Sequence, residues 1–324
     1  MRGMVLAAGL GTRLRPFSES LPKPLFPILG ITALQWAVMR LHRAGADLVV
    51  VNTHYLANQV ETFINTTALP VPVKVSHEDI LAGTGGGIAA AKAWLTADDP
   101  FILHNSDAFI TTNLQQLIRK FNTLRPAAML MVTRDPSRPD AHVVGVVPQN
   151  KTLKITTFRA RPDDGLRHYM YTGIAVISRR IFDFLPKGPS CLIKNGLEPM
   201  IAAGLPVLAF NYNGTFVDIG TPAGLLRAQK VAFQHTPKIL QDNGLPAPVR
   251  VKPGVFCMDK MPKAIQTNPP VFIGYGIRTE NDVTLGPNAF ISNDVNITGP
   301  TRVKDCLILP GASISGHVQG PVTG

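Results

Sequence analysis

Through its first 233 residues the chain alternates apolar runs with segments of helical period, and no other feature limits its fold so tightly. Met4–Ala8 (MVLAA) reads as a buried strand. The stretch 32–46 (TALQWAVMRLHRAGA) has helical spacing, with Thr32 as its cap and Gly45 near its end. Leu48–Asn52 (LVVVN) is a second buried strand, followed by a helix through 55–64. Further strands fit 71–76, 101–107 and 128–133, and further helices fit 86–95 and 114–122. Strands that are apolar from end to end and spaced by helices belong to a mostly parallel sheet covered on both faces. Such sheets bind ligands at the carboxyl ends of their strands. Gly9–Arg13, the loop before Gly87 and Asp107 then fall along one edge.

A Pro- and Gly-rich stretch, 236–250, reads as a linker, and a different pattern follows it. Ile273, Leu285, Ile291, Ile297, Val303 and Leu309 fall on a six-residue period, with only Thr279 off type. A second register holds Ile277, Val283, Ala289, Val295, Thr301 and Leu307. Apolar hexads with Gly, Asn and Asp between them predict a short parallel β-helix over 251–324. Its open end is available for self-association.

The apolar share of 45% can fill a sizeable core. No apolar run is long enough to span a bilayer. Gly9, Gly11, Arg13 and Arg15 break up the N-terminal run, so it does not read as a secretory signal, and a cytoplasmic location is expected. Three scattered cysteines fit a reducing compartment, and eight histidines without paired spacing argue against zinc. A net charge of +11 favours anionic partners. The basic residues form no stripe and have no interleaved aromatics, which disfavours nucleic acid and suits small phosphorylated substrates.

The stretch LAAGLGTRLRP, Leu6 to Pro16, leaves the first strand through two glycines and at once places Arg13. It lacks the third glycine of a dinucleotide loop and the Gly-Lys-Ser/Thr of a P-loop. Gly9 and Gly11 let backbone N–H groups approach phosphate oxygens, and Arg13 can meet a polyphosphate with its fork. Lys23, between Pro22 and Pro24, is a cation on a stiffened loop.

G-x-G-T-R-x-x-P followed by P-K-P-L-x-P resembles the N-terminal signature of the sugar-1-phosphate nucleotidyltransferases, over about residues 3 to 233. The resemblance implies a Rossmann-like α/β nucleotidyltransferase domain, 1–235, and a left-handed parallel β-helix after the linker. It implies nucleotide contacts from Leu6, Ala8, Gly9, Leu10, Gly11 and Thr12. Arg13 would hold the departing phosphates and Lys23 the charge at the α-phosphate. In EDILAGTGGGI, Gly83 and Thr84 would lie against base and ribose, and Glu78 would read the base edge. A carboxylate there suits the two donors of guanine, with uridylyl transfer left open. Asp107 and Asp218 would hold Mg²⁺, which combines few protein ligands with substrate phosphates. Asn105, Gly145, Arg161, Thr172 and Gly173 match positions on the sugar-phosphate side. There FRARP stands in place of the family's F-x-E-K-P, so Ala160 replaces a glutamate that binds sugar hydroxyls.

The expected reaction transfers a nucleoside monophosphate from an NTP to a sugar-1-phosphate, with mannose-1-phosphate and GTP the first choice. A uridylyltransferase acting on a hexose-1-phosphate or on N-acetylmuramate-1-phosphate is the alternative. A non-catalytic regulatory subunit of the same fold would be expected to lose Arg13, Lys23 or an aspartate, and all are present. A hexapeptide-repeat acyltransferase would rest on the tail alone, where His317 lies at the ragged end.

Overall fold

The computed structural model describes residues 1–134, 143–149, 151–161, 163–279 and 281–324. Its α-helices are α1 (Ala33–Arg43), α2 (Ala57–Thr66), α3 (Gly83–Ala90), α4 (Lys92–Leu95), α5 (Gln115–Leu124), α6 (Glu198–Ala202), α7 (Pro222–Gln234) and α8 (Lys238–Asp242). The expected helices are present, and Thr32 Oγ1 accepts from Gln35 N at 3.1 Å at the start of α1. The chain divides into two compact units, 1–10 with 37–108 and 113–216, and 11–36 with 109–112 and 217–324.

The first unit is built on a nine-stranded sheet. From one edge it runs Val73–His77, Leu48–Thr53, Arg2–Leu6 and Phe101–Asn105, all parallel. Arg167–Ile177 comes next and is antiparallel to both of its neighbours. Beyond it lie Ala128–Thr133 and Val207–Asn211, parallel to each other, then Thr152–Thr157 and Val143–Gln149, both antiparallel. The sheet is therefore mixed, with an unbroken parallel block at one side. Met4, Val50, Leu103, Leu130 and Ala175 are buried in one core with Ile88 of α3, and Val5, Val49, Val51 and Ile102 at the alternate positions are buried as well, so the block's central strands are apolar on both faces.

The second unit holds two ladders of short parallel strands. In one, Val255–Cys257, Val271–Ile273, Ala289–Ile291, Cys306–Ile308 and Val322–Thr323 pair in succession. In the other, Ile265–Thr267 pairs with Val283–Leu285, which pairs with Asn296–Lys304. Val271 meets Ala289, eighteen residues on, which is three hexads. Inward positions such as Ile273, Val283, Leu285, Ile291, Val295, Ile297 and Val303 share one core.

Two readings of the hexads need correction. Cys306 and Ile308 point into the core, not Leu307 and Leu309, because Ala289 pairs with Cys306 one residue early. Two residues, Lys304 and Asp305, stand between Val303 and Cys306, where three stand between their partners Leu285 and Ala289, and the Asp305 carboxylate accepts from Asn288 Nδ2 at 2.7 Å. Leu307 thereby joins Phe256, Phe272 and Phe290 in an outward row. Phe233 of α7 packs edge-on against Phe256 and Phe290, at 5.2 and 6.0 Å. The stretch read as a linker contains α8, whose Ile239 and Leu240 are buried.

Candidate active site

In the first unit the parallel strands end in one row, with Leu6 opposite both Asn52 and Asn105. Leu6 is half-buried and Ala8 buried, whereas Gly9 and Leu10 are exposed where the chain leaves the sheet. Nothing lies within 4 Å of where a Gly9 side chain would begin, so its backbone face is open. On the neighbouring strand, Asn52 Oδ1 accepts from Ala7 N at 2.8 Å, and its Nδ2 donates to Glu78 Oε1 at 2.7 Å. Glu78 Oε2 accepts from Ala82 N at 2.9 Å. Glu78, expected at a base edge, is buried, with each carboxylate oxygen already bonded to the protein.

Ala82 leads into α3, whose first turn lies against the loop 188–192. Gly85 N donates to Ser190 O at 2.8 Å, and Thr84 Oγ1 accepts from Leu192 N at 3.0 Å. A Cβ on Gly83 would lie 2.7 Å from Ser190 O, so the run GTGGG lets backbone meet backbone. Gly83 and Thr84 remain exposed, as do Ile80 and Leu81.

At the end of the strand Phe101–Asn105, Asn105 lies over Gly173. Gly173 has φ 81°, and a Cβ there would be 2.6 Å from Asn105 Nδ2, so only glycine fits. Thr172, expected near the hexose, is buried with its Oγ1 donating to Met131 O at 2.9 Å. The space above Gly145 is filled by Leu166, Thr157 and Ala160. Arg161 is exposed on a turn, and its N–H donates to Asp164 Oδ2 at 2.7 Å. Pro162, which closes FRARP, lies outside the described residues. Asp107 is half-buried two residues past the strand end.

Beneath Asn105 sits a buried basic pair. His104 Nδ1 is 2.8 Å from Asn105 O, while its Nε2 is buried without a partner. Burial and the charge of Arg40 push the imidazole down to about 3, so it stays neutral. Burial also lowers Arg40, to about 10, against the pull of Tyr212.

The second unit carries the cations. Thr12–Leu14 form a tight turn after Gly11, with Thr12 and Arg13 exposed. Ser18 Oγ donates to Gly11 O at 2.8 Å and pins that turn. Half-buried Lys23 opens a second tight turn, and its Cβ is 3.5 Å from where a Gly11 side chain would begin. Arg13 Nη1 and Nη2 both reach Asp218 Oδ2 at 3.4 Å. Asp218 Oδ1 accepts from Gly220 N at 2.7 Å, while Thr221 Oγ1 caps α7. Asp218 is thus a turn residue ahead of the helix, and the cap is Thr221, three residues on.

Arg13, Lys23 and Asp218 are therefore brought to one glycine turn, while Thr172 and Gly145 are committed to packing. Sequence reasoning missed Asn52 and the loop 188–192. A polar residue closing the run LVVVN at the ligand end was the available signal for Asn52.

The nucleotidyl transferase family model matches residues 2–234, and the chain belongs to that family. It is 28% identical to a UTP–glucose-1-phosphate uridylyltransferase of Synechocystis, over 98% of this chain and 82% of that one. It is also 28% identical to a mannose-1-phosphate guanylyltransferase of Mycobacterium tuberculosis, over 69% of this chain and 62% of that one. Among solved structures, apo UDP-glucose pyrophosphorylase superposes with a TM-score of 0.63 at 17% identity. That match covers 72% of this chain and 98% of the other, and it speaks to fold alone.

Proposed function

We propose that this nucleotidyltransferase joins a nucleoside monophosphate from an NTP to a sugar-1-phosphate, giving an NDP-sugar and pyrophosphate. The observation that carries the reading is the meeting of Arg13 with Asp218. A cation and a carboxylate 205 residues apart converge on the glycine turn against which Lys23 also packs. A sugar-phosphate oxygen attacks the α-phosphorus in line, the new P–O bond forms, and the bond to the β-phosphate oxygen breaks. No covalent enzyme intermediate is required, so the protein supplies position and charge. Arg13 takes the departing phosphates, and Lys23 takes the charge that grows at the α-phosphate.

Mg²⁺ is the proposed cofactor, with Asp107 and Asp218 as its protein ligands. Carboxylate oxygens are the donors this ion favours. Asp218 Oδ2 accepts from Arg13 Nη1 and Nη2 at 3.4 Å, so this carboxylate already faces the cation of the glycine turn. Bound there, Mg²⁺ would polarise the phosphate oxygens.

Mannose-1-phosphate with GTP is the first pair proposed, in line with the Mycobacterium relative. Glucose-1-phosphate with UTP is the second, favoured by the Synechocystis relative, whose match takes in the tail as well. The paired ladders of the tail support a parallel β-helix; its left-handed form and self-association through it belong to the same proposal. No described helix is long and apolar enough to cross a membrane, which suits the proposed cytoplasmic location. Pyrophosphate release across four NTPs and a panel of sugar-1-phosphates tests the reading. One pair should give release that EDTA abolishes and Mg²⁺ restores. No release with any pair overturns it.

A further inference from the structure

One polar pair at the strand ends of the first unit is closed off from water. Asn52 is 3% exposed and Glu78 5%. A buried carboxylate is costly unless donors meet it, and here each oxygen has one, Asn52 Nδ2 and Ala82 N. The amide orientation of Asn52 follows from its neighbours. Its oxygen must face the Ala7 N–H and its nitrogen the carboxylate, since the reverse would leave both mismatched.

The far end of each side chain holds a loop. Asn52 holds Ala7, where the glycine loop begins, and Glu78 holds Ala82, just before α3. A Cβ on Gly87 would lie 2.7 Å from both Asn52 Nδ2 and Glu78 Oε1, so the backbone of α3 rests on the pair itself. Three chain segments therefore share one two-residue contact. A guanine edge presents two adjacent donors, and although each carboxylate oxygen can accept a second bond, Glu78 at 5% exposure is closed to a base unless its own loops move.

We infer that Asn52 and Glu78 are positioning residues, a brace that ties the glycine loop to the loop opening α3, and that Glu78 does not choose the base. The inference rests on the reading of these loops as the nucleotide site. Breaking the brace should weaken every accepted NTP alike, because it misplaces the loops and removes no base contact.

Two experiments separate the brace from a base reader. In the first, KM and kcat are measured for each accepted NTP in the wild type, Glu78→Gln and Asn52→Leu. The brace predicts KM raised by a similar factor for each, about tenfold for one lost buried hydrogen bond, with nucleotide order unchanged. A tenfold or larger shift in the ratio of GTP to UTP in Glu78→Gln alone would overturn it. The second experiment needs no substrate. Amide hydrogen exchange is followed at Ala7 and Ala82 in the wild type, Asn52→Leu and Gly87→Ala, the last crowding the pair from the helix side. Faster exchange at both amides in both variants supports the brace, whereas a change confined to one loop overturns it. Should the wild type release no pyrophosphate, the proposed function falls and the exchange data still decide the brace.

Discussion

Lys23 opens a tight turn between two prolines, and Leu25 N donates to Pro22 O at 2.8 Å to close it. In the proposed reaction a cation on such a turn would keep its place as charge moves to the α-phosphate, which is where a fixed donor counts most. Lys23→Ala should therefore lower kcat on the order of a hundredfold to a thousandfold, with a smaller change in KM for the NTP. Steady-state kinetics would show the assignment wrong if only KM moved. Gly173 makes a different demand. Its φ of 81° and the nearness of Asn105 both exclude a side chain. Gly173→Ala should cost about 1–3 kcal/mol of stability and raise KM for the sugar-1-phosphate as Asn105 is displaced. Thermal unfolding and kinetics read the two effects separately, and a variant with wild-type stability would refute the strain.

Between helix α1 and the strand Phe101–Asn105 lies a contact that a linear pattern could not reveal. His104 and Arg40 are buried, 1% and 2% exposed, and the charge of Arg40 adds to burial in keeping His104 neutral. The imidazole titrates near 3 in the folded protein, against about 6.5 in an unfolded chain. Between those values the unfolded chain holds a proton that the native state lacks. The contribution to stability is thus complete above pH 6.5 and lost as pH falls toward 3, at about 1.4 kcal/mol per pH unit. Between pH 6.5 and 5, above most carboxylate titrations, His104→Gln should show a denaturation free energy less steep by about one proton; equal slopes would exclude a neutral buried His104. The parallel strands, the glycine turn and most inward hexad positions were legible, because each is written in local periodicity. The antiparallel strand Arg167–Ile177 within the sheet was not, since apolar runs look alike whichever way they point. The pairing of Asn52 with Glu78 was opaque for a related reason, as nothing in the sequence says that two polar residues 26 apart satisfy each other. The slip from Leu307 to Cys306 comes from a turn one residue shorter than the one before Ala289, which a strict six-residue period passes over.

At the scale of the whole molecule, the tail does more than follow the catalytic sequence. The back of the Lys23 loop is held within the second unit by α7 and by the tail ladders. Gln229 of α7 is fully buried; its Oε1 accepts from Leu29 N at 2.8 Å and its Nε2 donates to Pro27 O at 2.7 Å. Asn293 of the tail donates from Nδ2 to Gly30 O at 3.3 Å, and its Oδ1 accepts from Tyr275 N at 3.0 Å. The loop that carries Lys23 thus ends in backbone groups whose partners lie some 200 residues or more along the chain, so α7 and the tail are placed to steady that loop. Gln229→Leu leaves two buried backbone groups unpaired, at about 1–3 kcal/mol each, and should lower kcat while hardly altering NTP binding. Gln229→Glu keeps the acceptor for Leu29 N and loses the donor to Pro27 O, so its kcat should fall between the two. Equal kcat in all three proteins, with circular dichroism confirming the fold, would show that Lys23 needs no support from α7. If Gln229→Leu proves too unstable to assay, Asn293→Ala weakens the same loop from the tail side, and unchanged turnover there would leave the tail without a role in the reaction.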